Sequence, residues 1–509
     1  MKRAVFLLVS ALVAIFCLAA CGESPEYIVE DVNGGVYIKD YRGEGGKVNV
    51  PDEIDGKPVV GIGDFAFANT PNITEIAIPA GVDHVGKYAF ANCTRLESVT
   101  VASSSVTIAE RAFSECTSLK AIDVSTFTII PDGCFYNCSS LERVTLGEIT
   151  VIGERAFSGC SSLQAVDLPN SLKTIGAKAF SGCSALKELD FGGSIEEIGA
   201  YCFSGVLADV DLSATSIEHL SENVLAGFKG ERVVIPSTIK TAGVGAFFDC
   251  SASVSIVGCS ELIFPEKFFD GYKGAKIDLS EFEGDVGSGA FVGVTAEIAF
   301  GDSFPETIGE RAFAYYKGAL ITVPSNVVSI GKNAFSNAEC NVRFEDGSKL
   351  TSIGEYAFAE WKGKSILLPE SVTEIGAYAF YQSYVMGEML PSSIVTIGEG
   401  AFSECNRMTA VTLPEALETL GASAFANSRY LRSVYIGDKL TAIGSEAFYG
   451  CNSLASVSFG TSVVRIEDDA FYDCSTLYEI TYRGDEAEWK KIEIIGADTL
   501  FFAVPVFEK

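Results

Sequence analysis

One phenylalanine recurs at a fixed interval through almost the whole chain, usually directly after an alanine. Its positions are Phe67, Phe90, Phe113, Phe135, Phe157, Phe180, Phe203, Phe247, Phe269, Phe291, Phe313, Phe335, Phe358, Phe380, Phe402, Phe425, Phe448 and Phe471, with Leu225 in the same place once. These 19 positions span 404 residues in 18 steps of 22 or 23 residues. A repeat that never drifts argues against an assembly of unrelated domains and predicts a solenoid of stacked coils.

The other apolar residues keep the same step. After Phe157 the chain places Cys160, Leu163, Val166 and Leu168 before it reaches the next Ile-Gly pair at Ile175. The alternation at Val166 and Leu168 predicts a short strand with one buried side. The three-residue spacing from phenylalanine to cysteine predicts a tight corner or a helical turn. A single repeat of this size cannot bury its own apolar side chains, so neighbouring repeats must stack into one core.

The N-terminus carries an export signal. Positive residues at positions 1–3 precede an apolar run from Ala4 to Ala20, as in a secretory signal peptide. The string Leu18-Ala19-Ala20-Cys21 resembles the bacterial lipobox, which implies cleavage after residue 20 and a lipid on Cys21. An ordinary secreted protein cut nearby and an uncleaved anchor are the alternatives. No other segment is long and apolar enough to span a bilayer, so we expect the membrane to be contacted only through the lipid anchor.

The full repeat, L-x-x-[VI]-x-[ILV]-P-x-x-[VL]-x-x-I-G-x-x-A-F-x-x-C, resembles the BspA-like leucine-rich repeat family of bacterial cell-surface proteins from about Tyr37 to the C-terminus. The resemblance implies a repeat solenoid: a right-handed coil of mainly short β-strands and tight helical turns, with about 19 repeats of 22–23 residues. It also implies an entry cap and a closing segment, in which Trp489 covers the last coil. The predicted division is a signal peptide (1–20), a short linker (21–35), an N-terminal cap (36–63), the repeats (64–481) and a C-terminal cap (482–509).

Composition limits the chemistry. Acidic residues outnumber basic ones 67 to 37, which argues against a nucleic-acid partner. The only two histidines, His84 and His219, lie six coils apart, so they cannot share a proton or a metal ion. The sequence has no phosphate-binding loop, and an enzyme would require a carboxylate pair in a cleft. We therefore expect no enzymatic activity, no cofactor and no metal site.

The cysteines follow the repeat. Nine of the 15 share one frame position, three residues after the phenylalanine. These are Cys93, Cys116, Cys138, Cys160, Cys183, Cys250, Cys405, Cys451 and Cys474. Adjacent coils lie close enough for disulfides, but parallel Cβ vectors do not aim the thiols at each other. Buried free thiols that pack as small hydrophobic groups are the favoured interpretation.

Two surfaces are candidate ligand sites. Aspartate recurs on the outward side of the predicted strands, at Asp123, Asp167, Asp190, Asp211 and Asp278, and such a row suits a cation or a basic partner. A solvated strand face without any ligand is the alternative. Aromatic residues after the repeat phenylalanines form the second candidate, a platform for sugar rings, unless they pack inside the corner. These are Tyr315, Tyr316, Trp361, Tyr381 and Tyr384.

Together these features predict a monomeric, lipid-anchored binding scaffold on the extracellular face of the bacterial cell envelope. Its expected partner is an extracellular protein or cell surface, as in adhesion. Polysaccharide binding and a structural spacer role are the alternatives.

Overall fold

The structure is a computed structural model that describes residues 26–364, 366–386, 390–496 and 505–507. It divides into two compact units, residues 1–192 and 193–509, and each unit is a β-solenoid. In most coils of both units, a strand of up to six residues, here called the longer strand, lies on one side and a two-residue strand on the other. We call the outward side of the longer strands the strand face.

Unit 1 begins with the cap strands β1 (Tyr27–Val32), β2 (Gly35–Tyr41), β3 (Gly46–Asn49), β4 (Glu53–Ile54) and β5 (Lys57–Ile62). Its longer strands are β6 (Ile73–Ile78), β8 (Ser98–Val101), β10 (Ala121–Val124), β12 (Arg143–Leu146), β14 (Ala165–Asp167) and β16 (Glu188–Asp190). Its short strands are β7 (His84–Val85), β9 (Thr107–Ile108), β11 (Ile129–Ile130), β13 (Val151–Ile152) and β15 (Thr174–Ile175).

The N-terminal cap includes part of the segment that was predicted to be a linker. Residues 27–32 form β1, which pairs antiparallel with β2 across a turn at Gly34 (φ 98°). The predicted linker (21–35) therefore contains a strand, because the Asn33-Gly34 turn allows the chain to fold back on itself. Strand β2 then pairs in parallel with β5, and β3 pairs in parallel with β6, so the cap covers both sides of the first coil.

Unit 2 has longer strands at β18 (Val210–Asp211), β20 (Arg232–Ile235), β22 (Ser253–Ile256), β23 (Lys276–Leu279), β24 (Glu297–Phe300), β26 (Leu320–Val323), β28 (Asn341–Phe344), β32 (Ala410–Thr412), β34 (Ser433–Tyr435), β36 (Ser456–Phe459), β38 (Glu479–Tyr482) and β40 (Val506–Phe507). Its short strands are β17 (Glu197–Ile198), β19 (His219–Leu220), β21 (Thr241–Ala242), β25 (Thr307–Ile308), β27 (Ser329–Ile330), β29 (Ser352–Ile353), β30 (Glu374–Ile375), β31 (Thr396–Ile397), β33 (Thr419–Leu420), β35 (Ala442–Ile443), β37 (Arg465–Ile466) and β39 (Glu493–Ile494). One helix, α1 (Glu486–Trp489), precedes β39.

The core consists of the repeat side chains stacked in register. Strands β10 and β12 pair in parallel with Ile122 opposite Val144, so equivalent residues of successive coils become neighbours. The repeat phenylalanines are fully buried, and their rings stack with centroids 5.0 to 5.8 Å apart in unit 1. In unit 2 the ladder from Phe247 to Phe471 has spacings of 4.9 to 5.4 Å. Each ring thus fits against the ring of the next coil, as the strict repeat requires.

The corner at each phenylalanine is a pair of turns and not a helical turn. Residues two before and two after the phenylalanine have left-handed backbone in most coils, for example Arg155 (φ 53°) and Gly159 (φ 80°) around Phe157. A residue with left-handed backbone interrupts a helix. Every second backbone N–H group in the corner therefore points toward the next coil. The amide of Phe157 donates to the carbonyl of Ala179 in the next coil, whereas Cys160 N–H closes a turn to Phe157 O.

The C-terminal segment continues the solenoid beyond residue 481. Strand β39 pairs with β37, and β40 pairs with β38. The indole of Trp489 lies against the rings of Phe459 and Tyr482, at 5.5 and 5.4 Å between centroids. Among the described residues, no helix has the length and hydropathy needed to cross a membrane.

Candidate binding surfaces

The predicted aspartates do lie on the strand face, but they differ in their surroundings. In unit 1, Asp167 and Asp190 sit directly opposite each other on the paired strands β14 and β16. Both are exposed, and neither carboxylate has a hydrogen bond or an ion pair to another side chain among the described residues. Two like charges in register on adjacent strands repel each other, so this pair is a local electrostatic cost to the fold.

The other three aspartates cap the ends of their strands. The side chains of Asp123, Asp211 and Asp278 accept hydrogen bonds from the backbone N–H groups two residues on, at 2.9, 3.0 and 3.1 Å. The hydrogen bonds from Ser125 lower the pKa of Asp123 below its ordinary value. Basic neighbours also pair with Asp211 (Arg232, 3.4 Å) and Asp278 (Lys276, 2.8 Å). The three aspartates that are followed two residues later by a serine therefore have a structural role. This Asp-x-Ser pattern would have indicated that role from the sequence.

No metal site accompanies the row within the described residues. No group of three or more histidine, cysteine, aspartate or glutamate side chains converges there. The row instead presents at most a pair of free carboxylates in unit 1.

The prediction that Trp361 binds a ligand is wrong, because this side chain is not accessible. Its side chain is fully buried, and Nε1 donates to the carbonyl of Cys340 at 2.9 Å. Tyr316, from the same predicted platform, is also fully buried, and its hydroxyl donates to Ala296 O. Both residues stand three positions after a repeat phenylalanine, the position that points into the core, so neither can meet a sugar.

The same core position explains the cysteines. All 13 cysteines in the described part of the chain are free and buried, as predicted. Eight of them donate through Sγ to the carbonyl of the phenylalanine in the preceding coil, at 3.1 to 3.2 Å: Cys93, Cys116, Cys138, Cys160, Cys183, Cys405, Cys451 and Cys474. Burial raises the pKa of Cys183 to about 12, so the thiol remains protonated and unreactive.

Unit 2 contains a longer repeat that the sequence reading missed. In alternate coils the cysteine position holds an aromatic residue followed two positions later by glycine. The pairs are Phe228 with Gly230, Tyr272 with Gly274, Tyr316 with Gly318, and Trp361 with Gly363. A Cβ on Gly363 would lie 2.0 Å from the Trp361 ring and 2.3 Å from Cys340 O, so the glycine makes room for the indole. The aromatic-Lys-Gly string, 44 or 45 residues apart, is the signal that would have revealed it.

Three partly exposed tyrosines of unit 2 lie elsewhere on the corner. The rings of Tyr356 and Tyr378 stack at 5.0 Å, and the ring of Tyr381 is perpendicular to that of Tyr378 at 6.1 Å. The Tyr378 hydroxyl donates to Glu399 at 2.7 Å. This hydrogen bond is the main cause that raises the pKa of Tyr378 to about 12. The Tyr381 hydroxyl donates to Glu404 at 3.1 Å. Of the predicted platform, only Tyr381, Tyr384 and Tyr315 remain accessible.

A shallow groove of about 250 Å³ runs across the strand face near the C-terminus of unit 2. Hydroxyl side chains dominate its outward rows: Thr412, Ser433, Tyr435, Ser456, Ser458 and Thr481. Glu479 is the one charged residue among those that line it. Beside it, the guanidinium of Arg483 lies 4.6 Å from the Tyr435 ring centroid and pairs with Glu415 and Asp438.

Several solved structures are similar to the chain. They include a leucine-rich repeat protein from Bacteroides ovatus (20% identity, covering 96% of this chain and 99% of that one, TM-score 0.29). A leucine-rich cell surface protein from Faecalibacterium prausnitzii has 19% identity over 92% and 96% of the two chains, with a TM-score of 0.31. The pneumococcal vaccine antigen PcpA has 16% identity over 95% and 96%, with a TM-score of 0.29. No curated protein matches the chain.

A family model described as a BspA-type leucine-rich repeat region matches residues 60–149, 128–254, 263–387 and 388–492, which is most of the chain. Solenoids of this kind are scaffolds typical of protein-binding surface proteins, and the match indicates no family of enzymes. The chain belongs to the BspA-type leucine-rich repeat family.

Proposed function

We propose that this protein is a surface-anchored, non-catalytic scaffold that recognises an extracellular protein or cell surface as a monomer, in the manner of an adhesin. The signal peptide and Cys21 lie outside the described residues, and the lipid anchor is part of the proposal. The observation that carries it is the pair Asp167 and Asp190, exposed and in register on the strand face of unit 1.

The physical reason is electrostatic. Adjacent strands lie about 5 Å apart, so the two aspartate side chains leave the sheet side by side, where like charges destabilise a sheet. A basic group on a partner would be attracted to both carboxylates and would relieve their repulsion on binding. A feature that costs stability in the free protein and is relieved by a partner is typical of a binding surface.

The test is a binding screen of the full chain in detergent against an array of extracellular proteins. We expect saturable binding that weakens in Asp167→Asn/Asp190→Asn. A matched control, Glu115→Gln/Glu148→Gln, removes the same charge from exposed positions of unit 1 and should bind as the unaltered chain does. Equal binding by the aspartate variant would contradict the acidic strand face, and Cys21→Ser should remove the protein from the membrane fraction.

The groove of unit 2 favours a second candidate, recognition of a neutral polysaccharide. Short hydroxyl side chains at the spacing of successive strands offer donors and acceptors to sugar hydroxyls. Binding on a glycan array that is lost in Ser456→Ala/Ser458→Ala would support this candidate. Absence of binding on both arrays would favour the spacer role.

A further inference from the structure

The chain itself contains one example of how its surface holds an arginine. At the C-terminal end of unit 2, the Arg483 guanidinium stacks on the Tyr435 ring, and the Tyr435 hydroxyl donates to Glu415 at 2.9 Å. Glu415 and Asp438 approach the guanidinium nitrogens of Arg483 at 3.5 and 3.1 Å. We call Tyr435, Glu415 and Asp438 the arginine clamp. Its elements are a tyrosine ring, a glutamate fixed by the tyrosine hydroxyl, and a second carboxylate.

The corner of unit 2 repeats the hydrogen-bonded tyrosine and glutamate twice, at the tyrosine–glutamate surface formed by Tyr356, Tyr378, Tyr381, Gln382, Glu399 and Glu404. Tyr381 donates to Glu404 and Tyr378 donates to Glu399, as Tyr435 donates to Glu415. Gln382 Nε2 donates to Glu404 at 2.8 Å and so fixes that carboxylate further. The exposed Glu360 adjoins Tyr381, because its backbone N–H donates to Tyr381 O, and it adds a further carboxylate to this surface.

The charges on this surface are not balanced from within the chain. Among the described residues, no lysine or arginine forms an ion pair with Glu360, Glu399 or Glu404. Two cations of this region have other partners: Lys332 pairs with Glu355 at 2.9 Å, and the Arg407 guanidinium lies 3.9 Å from the Tyr384 ring centroid. That second contact also shows a tyrosine of this surface region accepting a guanidinium on its face.

We propose that the Tyr381 ring, together with the carboxylates of Glu404 and Glu399, binds an arginine side chain of a basic segment of a partner protein. The planar guanidinium stacks on a ring and donates to carboxylates in one geometry, which the point charge of lysine does not reproduce. The site rests on the proposed function only in that the partner is a protein, and it lies on unit 2 rather than on the acidic strand face of unit 1.

The test measures the fluorescence anisotropy of a labelled peptide of alternating arginine and glycine, titrated with the full chain in detergent. The same peptide with citrulline in place of arginine keeps the shape and loses the charge, and a lysine version keeps only the charge. We expect the arginine peptide to bind at least about tenfold more tightly than the citrulline peptide, with the lysine peptide between them.

The decisive variant is Glu399→Gln/Glu404→Gln, in which each glutamine still accepts the tyrosine hydroxyl, so the corner keeps its hydrogen bonds. We expect it to weaken arginine-peptide binding about tenfold. The control Glu231→Gln/Glu261→Gln removes the same charge from exposed positions elsewhere on unit 2 and should change binding less than about twofold.

Three results would overturn the proposal. Unchanged binding by the glutamine variant would move the site elsewhere, and an equal loss in the control would reduce the effect to overall charge. Saccharide binding that is lost in Tyr381→Ala, without any preference for arginine over citrulline, would assign the surface to a glycan. The Asp167→Asn/Asp190→Asn variant should bind the peptide normally, so failure of the unit 1 proposal and failure of this one are distinguishable.

Discussion

Unit 1 and the middle of unit 2 fill the same core position in different ways. From Phe90 to Phe180 in unit 1 every coil places a cysteine there, and its thiol donates to the phenylalanine carbonyl of the preceding coil. Between Leu225 and Phe358 in unit 2, every second coil places a much larger aromatic ring there. Tyr272, Tyr316 and Trp361 donate instead to a carbonyl five residues after the preceding phenylalanine.

The comparison separates what the fold requires from what it tolerates. Each coil exposes a buried carbonyl to the next one, and a buried acceptor without a donor is costly. The thiols donate to the phenylalanine carbonyl, as the Ser428 hydroxyl does to Phe402 O at 2.9 Å, whereas the tyrosine hydroxyls and the indole N–H donate to the carbonyl five residues further on. Volume is balanced locally, since each large ring comes with a glycine two residues later. The structural unit of this part of unit 2 is therefore a pair of coils.

Removing an aromatic residue should have the largest effect. Trp361→Ala deletes a fully buried indole and its hydrogen bond, and we expect a loss of about 3–5 kcal/mol in the free energy of unfolding, measured by urea denaturation. Trp361→Phe keeps most of the volume but leaves Cys340 O without its donor, at a cost of about 1–3 kcal/mol. A loss below about 1 kcal/mol for the alanine variant would mean that the indole is not part of the core.

The glycine partner offers the complementary test. Gly363→Ala places a methyl group against the indole and against the backbone oxygen of Cys340, and we expect a loss of about 1–3 kcal/mol from overpacking. Gly81→Ala is the matched control, because its Cβ would meet only Val59 O at an ordinary 3.5 Å. Comparable midpoints for the two variants would contradict the paired role of Trp361 and Gly363.

The cysteine coils predict a smaller effect that depends on the donor. Cys160→Ala removes the thiol that donates to Phe135 O, which still accepts a hydrogen bond from Cys138 N–H, so we expect it to cost about 1 kcal/mol. Cys160→Ser keeps a donor, as Ser428 does in its own coil, and should retain more stability than the alanine variant. If serine were the more damaging of the two, the thiol would act through its apolar volume alone.

Alkaline pH sharpens the same comparison. Burial raises the pKa of Cys183 to about 12 from an ordinary value near 9, so the folded state keeps a proton that the unfolded chain releases. The stability that this thiol contributes is complete below about pH 9 and declines as pH rises toward 12. The urea midpoint should fall over that range, and Cys183→Ser should reduce the slope.

The repeat made the fold predictable because each coil must copy the contacts of its neighbours. The buried thiols followed from the same rule. Trp361 was misplaced because an aromatic residue at a corner suits either side. The repeat frame would have placed Trp361 in the core, since Trp361 follows Phe358 by three residues, as Cys160 follows Phe157.

The tyrosine–glutamate surface was beyond a reading of the sequence. Its pairs, such as Tyr378 with Glu399, join residues 21 positions apart through side-chain conformations that the repeat does not determine. Its backbone also takes left-handed conformations at Tyr356 and Tyr378, which residue type alone would not suggest.

The smallest expected effect concerns the strand face of unit 1 and has the opposite sign. Asp167→Asn/Asp190→Asn removes two like charges in register, so we expect a gain of about 0.2–1 kcal/mol in the free energy of unfolding at low salt. Added salt should shrink the difference from the unaltered chain, because screening weakens the repulsion between exposed charges. Asp123→Asn serves as the control. The Asp123 carboxylate accepts a hydrogen bond from the Ser125 amide, and the residue opposite it on the next strand is the uncharged Thr145, so it faces no like charge there. Loss of that charge should leave stability unchanged or lower it. A gain from the pair together with weaker partner binding would identify these two residues as kept for recognition at the expense of stability, whereas a loss of stability would place them with the aspartates that cap strand ends.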